Sequence, residues 1–217
     1  MHTCNIVSRC TALALMMTLF VLLAGCSLPK VILHHDPLSA SEHRDLAAIY
    51  AEKGKYNLAE REYTIALELD PESMASYLGL GNLYLTRGMY RQAEGVFIKA
   101  LERVPSSGPL HNNLSWAYLG MGDHDRAERH VLRALELDPP RRHIYLDTLA
   151  VVYTGKGEYD KAEVSLLEAL TRVPSDERAG RVEIYSHLIE LYRLWEKREK
   201  ARSFEQKLIE EENNEHE

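Results

Sequence analysis

Apolar and small residues between residues 40 and 176 recur with a long period as well as a short one. Tyrosines stand at Tyr50, Tyr84, Tyr118 and Tyr153, and alanines at Ala59, Ala93, Ala127 and Ala162, then again at Ala66, Ala100, Ala134 and Ala169. Prolines close each unit at Pro71, Pro105, Pro139 and Pro174, and glycines mark each middle at Gly54, Gly88, Gly122 and Gly157. Every set steps by 34, 34 and 35 residues, the extra residue falling at the Pro139-Pro140 junction. Self-similarity at this period is the signature of stacked helical hairpins.

Within one unit the short period is helical. In residues 74–107, Tyr77, Leu80, Gly81 and Tyr84 share one face at spacings of three and four, which predicts a first helix. Gly88 suits the left-handed position that ends a helix and reverses the chain. Ala93, Phe97 and Ala100 then form the inner stripe of a second helix, with Gly81 set opposite Ala93 so that two backbones approach closely. Ala150 supplies the small residue in the fourth unit, whereas the third departs most, with Ser115 and Val131 in the small and large positions. Pro105 stops the second helix. One hairpin cannot bury both faces, so neighbouring hairpins must stack.

These residues resemble the tetratricopeptide repeat. The resemblance implies an all-α, right-handed α-solenoid of antiparallel helix hairpins, with repeats at 40–73, 74–107, 108–142 and 143–176. A degenerate fifth hairpin follows over 182–210, where Tyr185, Leu188, Tyr192 and Ala201 keep the register after an insertion around "ERAGR". Glu205 stands there where a large apolar residue is expected, and the mostly charged stretch to residue 210 reads as a polar cap. Residues 211–217 read as a frayed tail.

A different pattern opens the chain. The apolar core Ala12–Ala24 is 13 residues long, about 20 Å as a helix, too short for a hydrocarbon layer of roughly 30 Å. With Arg9 before it and small residues after it, the segment 1–25 reads as an export signal. Leu23-Ala24-Gly25-Cys26 resembles the lipobox of bacterial lipoproteins, which implies that the Cys26 thiol receives a diacylglyceryl group and that the chain is then cut immediately before it. Cys4 and Cys10 fall in the removed segment, so no disulfide forms within the mature chain and its stability comes from packing. Ser27, rather than Asp, after the cysteine implies sorting to the outer membrane, facing the periplasm. Residues 26–39 read as a lipidated tether. Two or three acyl chains give a firm anchor where one alone holds marginally.

Composition narrows the partners. The formal net charge is −7, and loss of residues 1–25, which hold Arg9 and no acid, makes it −8. No basic tract is present, so nucleic acid is not an expected partner. Neither "GLGNLY" (79–84) nor "TGKGEYD" (154–160) completes a nucleotide-binding fingerprint. His34-His35-Asp36 are adjacent donors without a further cluster in sequence, and no nucleophile or HExxH motif is present. The expectation is a non-enzyme with no cofactor, no metal and no small-molecule substrate.

What remains is a binding surface. In tetratricopeptide arrays the first helices line a concave groove. Carried onto this chain, the family's groove positions are Arg44 and Ala48, then Leu78, Asn82 and Leu85, then Asn112, Asn113, Trp116 and Leu119, and finally Asp147, Val151 and Thr154. Asn112, Trp116 and Leu119 share a face. Amide side chains can pair with an extended backbone, and tryptophan is a preferred anchor of interfaces. Leu78, Ile144 and Thr148 stand where receptors of chaperone C-termini carry Lys or Arg, which argues against that subclass. The plan is similar to tetratricopeptide lipoproteins that act as pilotins for type IV pilus secretins or scaffold envelope hydrolases. Residues 32–50, "ILHHDPLSASEHRDLAAIY", look like the segment leading into the repeats of lipoproteins that accompany papain-like, bacteriocin-processing peptidases. The sequence therefore predicts an envelope adaptor that binds a protein partner.

Overall fold

A computed structural model describes residues 38–213. The signal segment, Cys26, nearly all of the tether and the last four residues of the tail lie outside the described residues. Among the described residues ten α-helices follow one another: α1 (Ala40–Glu52), α2 (Tyr56–Leu69), α3 (Met74–Thr86), α4 (Tyr90–Arg103), α5 (Gly108–Gly120), α6 (His124–Leu137), α7 (Arg142–Lys156), α8 (Tyr159–Arg172), α9 (Arg178–Leu194) and α10 (Arg198–Asn213). A 3-10 turn, Pro139–Arg141, precedes α7. No strand occurs among the described residues.

Local chemistry sets the helix starts. Ser39, Ser73 and Ser107, each two residues after a proline and 34 apart, cap α1, α3 and α5 by accepting from Glu42, Ser76 and Leu110 N–H groups. At Ser39 the box is reciprocal, since Glu42 Oε2 accepts from Ser39 N–H at 2.7 Å. The fourth unit has Pro139-Pro140-Arg141 instead, and α7 starts from the 3-10 turn with no side-chain cap.

The turns inside the hairpins repeat one geometry. Gly54, Gly88, Gly122 and Gly157 have φ between 68° and 75°, and the next N–H donates back to the carbonyl of Tyr50, Tyr84, Tyr118 or Tyr153 at 2.8–2.9 Å. This is the six-to-one bond of a Schellman ending. The fifth hairpin closes the same bond, Lys197 N–H to Tyr192 O at 2.8 Å, but its left-handed residue is Glu196, φ 60°. A side-chain-bearing residue costs about 1–2 kcal/mol in that region. Glu196→Gly is expected to raise stability by about 0.5–1 kcal/mol once glycine's unfolded-state entropy is counted, with thermal unfolding as the check. A lower melting temperature would contradict this account of the turn.

Packing follows the alanine ladder. All eight recurring alanines of the second helices are 0% exposed, so each second helix presses its backbone against the first helix of its own hairpin. Phe97 shows how the space is shared: a Cβ built on Gly81 would sit 2.2 Å from its ring. Gly81 thus makes room for the Phe97 ring. In the third unit the smaller Val131, also 0% exposed, leaves room for Ser115, whose Oγ donates to Ala127 O at 3.0 Å.

Ties between units were not read from the sequence. Glu60, Glu94, Glu128 and Glu163 each follow a ladder alanine. Tyr84 Oη donates to Glu60 at 2.9 Å and Tyr192 Oη to Glu163 at 2.6 Å, each joining a unit to the one before it. Arg87, Arg126, Lys156 and Lys200 add cations to the four glutamates in turn. Burial first, and then the Glu60 bond, pushes the Tyr84 phenol up to about 12, so it remains a donor.

The fifth hairpin differs from its expected form. The extra residues around "ERAGR" are helical and lengthen α9 to 17 residues, against 13 to 15 in the earlier first helices, so Tyr192 follows Tyr153 by 39 residues. The large apolar residue is Phe204, one place before Glu205, and its ring lies 5.7 Å from Tyr192 and 5.8 Å from Tyr185. Glu205 turns outward to pair with Arg193 at 2.6 Å.

Candidate functional site

The stack defines its own concave side. First helices bring their backbones close to the next first helix along the array (α1 with α3, α3 with α5, α5 with α7, α7 with α9), while successive second helices stand further apart and meet only through side chains such as Arg126 with Glu94 and Lys200 with Glu163. The first helices therefore lie on the inner, shorter arc. Two cavities open between α5, α7 and α9. One, of about 190 Å³, is walled by Trp116, His143, Ile144, Asp147, Thr148 and residues of α9. The other, of about 300 Å³, is walled by Leu119, Val151, Thr154 and, from α9, His187, Glu190 and Leu194, with smaller contributions from α6 and α8.

The predicted groove residues distribute unevenly. Trp116 and Asp147 meet in the first cavity, and Leu119 and Val151 in the second. Asn113 donates to Asn82 Oδ1 at 2.8 Å, so these two amides hold each other across α3 and α5 while Asn82 stays exposed. Asn112 is 6% exposed and its Oδ1 has no hydrogen-bond partner. Leu78 and Leu85 are half-buried against the core. Arg44, half-buried on α1, pairs with Asp45 at 2.7 Å, and it lines neither cavity.

Of the acids and imidazoles on this face the sequence pointed only to Asp147, and Glu183, Glu190, His143 and His187 were missed. Asp147, 6% exposed, accepts from His187 Nδ1 at 2.7 Å. Burial alone would lower the His187 pKa, but the Asp147 bond together with the charges of Asp147, Glu183 and Glu190 outweighs it, and the pKa is raised. The signal available in sequence was two pairs at four-residue spacing, His143 with Asp147 and Glu183 with His187, separated by a full repeat. With Glu177, which stands 3.3 Å from His143 Nε2, the C-terminal half of the concave face is acidic.

The second helices offer a different surface. Ile98, Leu132 and Leu167, at equivalent places in three units, are 41%, 40% and 40% exposed, an apolar row on the outer side. Among the described residues no helix is long and apolar enough to cross a membrane.

Comparison with known proteins agrees with the geometry. Tetratricopeptide repeat models match residues 45–73, 72–139 and 112–177, a continuous run over more than half of the chain. The chain belongs to the tetratricopeptide repeat family, whose members generally serve as non-catalytic scaffolds that bind other proteins. No curated protein sequence matches it. Among solved structures it is similar to PilW, a widely conserved type IV pilus biogenesis factor (21% identity, 80% of this chain and 78% of that one, TM-score 0.71). It is also similar to a thermophilic repeat protein of Thermus thermophilus (24%, 80% and 91%, 0.70). YrrB, a repeat protein with an unusual peptide-binding site, shares 24% identity over 80% of this chain and 86% of its own (TM-score 0.54).

Proposed function

We propose that this chain is an envelope lipoprotein, anchored through an acylated Cys26 and facing the periplasm, whose repeats recruit a protein partner without catalysing a reaction. The observation that carries the adaptor part is the pair of cavities between α5, α7 and α9, where Trp116 stands half-buried beside exposed and half-buried apolar residues of the next first helices. A half-buried tryptophan in a cleft is the kind of side chain that anchors interfaces. The acids Asp147, Glu177, Glu183 and Glu190 on the same face favour a partner segment that carries Lys or Arg.

Anchoring rests on Leu23-Ala24-Gly25-Cys26 at the end of the apolar run. A thiolate is the good nucleophile for acyl-chain attachment near neutral pH. Cys26→Ala should leave the precursor uncleaved and abolish labelling by a fed fatty-acid analogue. Normal processing and labelling of the variant would end the lipoprotein reading.

A second reading, a pilotin-like assembly factor, draws on the shared fold with PilW and with pilF of Pseudomonas aeruginosa (21% identity, TM-score 0.59). At these identities the likeness supports the architecture, and the partner decides between the two readings.

A further inference from the structure

We propose that Asp147, Glu183 and His187 form a binding site for a divalent transition-metal ion of the zinc class. One donor atom from each residue lies within 4.8 Å of the other two. The donors come from two neighbouring first helices. Asp147 stands on α7, one turn after His143, and Glu183 stands on α9, one turn before His187. Residues four apart project from the same helix face, so the two pairs confront each other where α7 meets α9.

The arrangement is set before any ion arrives. Asp147 is buried, and its Oδ1 fixes the His187 ring at 2.7 Å. Both side chains sit on helices rather than loops, which holds donors more tightly in place. Zinc bonds of about 2.0–2.2 Å in a tetrahedron put donors about 3.3 Å apart. The separations here, from 2.7 Å up to 4.8 Å, bracket that distance, and side-chain adjustments suffice to reach it. On binding, the cation replaces the proton shared by His187 and Asp147, which leaves to solvent.

His143 is the independent sign that this cavity wall is built for a ligand. Its side chain is 9% exposed, and Nε2 is buried without a hydrogen bond, Glu177 Oε2 standing 3.3 Å away but out of line for one. It lines the same cavity as Asp147 and Glu183. A buried ring nitrogen without a bond is costly. Three donors from Asp147, Glu183 and His187 leave a fourth position that water or a donor from a bound partner completes. Imidazole among carboxylates selects zinc-class ions over magnesium or calcium, which prefer all-oxygen sets. The ion would join the fourth repeat to the fifth hairpin.

The test titrates Zn²⁺ into the purified full-length chain against a chromophoric chelator, with thermal unfolding at each zinc level. Wild type should bind one equivalent that Glu183→Gln binds at least about tenfold more weakly, and zinc should raise the melting temperature of wild type but not of the variant. Glu183 is exposed, so this substitution spares the fold. His187→Ala should lose the same equivalent and, if it fails to fold, Glu183→Gln decides alone. Equal zinc uptake by wild type and Glu183→Gln, whether at zero or through histidines elsewhere, overturns the site.

Discussion

Phe97→Ala should lower the stability of the array by about 3–5 kcal/mol, the usual cost of truncating a fully buried aromatic. Phe97 is 0% exposed and belongs to the apolar core that runs from Tyr77 to Phe204. In a stack each unit is stabilised by its neighbours, so the loss should reach the adjacent hairpins and not remain in α4. Gly81 makes the prediction sharper. With the Phe97 ring in place, a Cβ at Gly81 has a ring atom at 2.2 Å, and Gly81→Ala should cost about 1–3 kcal/mol through overpacking. With the ring removed, the same change should stabilise by up to about 1 kcal/mol, since alanine is the better helix former. Denaturant unfolding of the four variants measures this reversal of sign as a coupling energy. A Gly81→Ala change that behaves alike in both backgrounds would contradict the packing described for the second repeat.

Most of this architecture is legible in the sequence because a repeat states each packing rule several times. The alanine ladder, the glycine turns and the closing prolines are local requirements, and each recurs at the same step. The glutamates after the ladder alanines recur as faithfully, the serine caps recur in three of the four units, and both lay open to the same reading. The fifth hairpin was harder. Glu196 takes a left-handed turn without glycine, and Phe204 fills the core one place away from the register of Phe97, so both landmarks that define the earlier units are displaced. The Asp147–His187 pair was not legible for a different reason. Its members are 40 residues apart, and only the stacking of α7 on α9 brings them together. Groove positions taken from the family also say nothing about what side chains do to one another. Asn82 and Asn113 were expected to face a peptide backbone, and here they hold each other.

Trp116→Ala should weaken binding of a groove partner by about 2 kcal/mol or more, roughly thirtyfold in affinity, with the fold intact. Trp116 is half-buried rather than enclosed, and it walls the cavity of about 190 Å³ together with Ile144, Thr148 and Ile184. Its removal enlarges an open cleft and leaves the core formed by Leu110, Leu114 and Ala117 of the same helix in place. Asn82→Ala and Asn113→Ala should each cost less, nearer 1 kcal/mol, the contribution of one neutral hydrogen bond.

The measurement that bears most directly on the adaptor reading compares wild type and Trp116→Ala, each as a soluble fragment starting at Ser27, in capture from an envelope extract, with circular dichroism of both. A protein retained by wild type should be lost from the variant while helicity stays the same. Identical captures would move the interface away from the concave face, and loss of helicity would place Trp116 in the core; either result contradicts the groove.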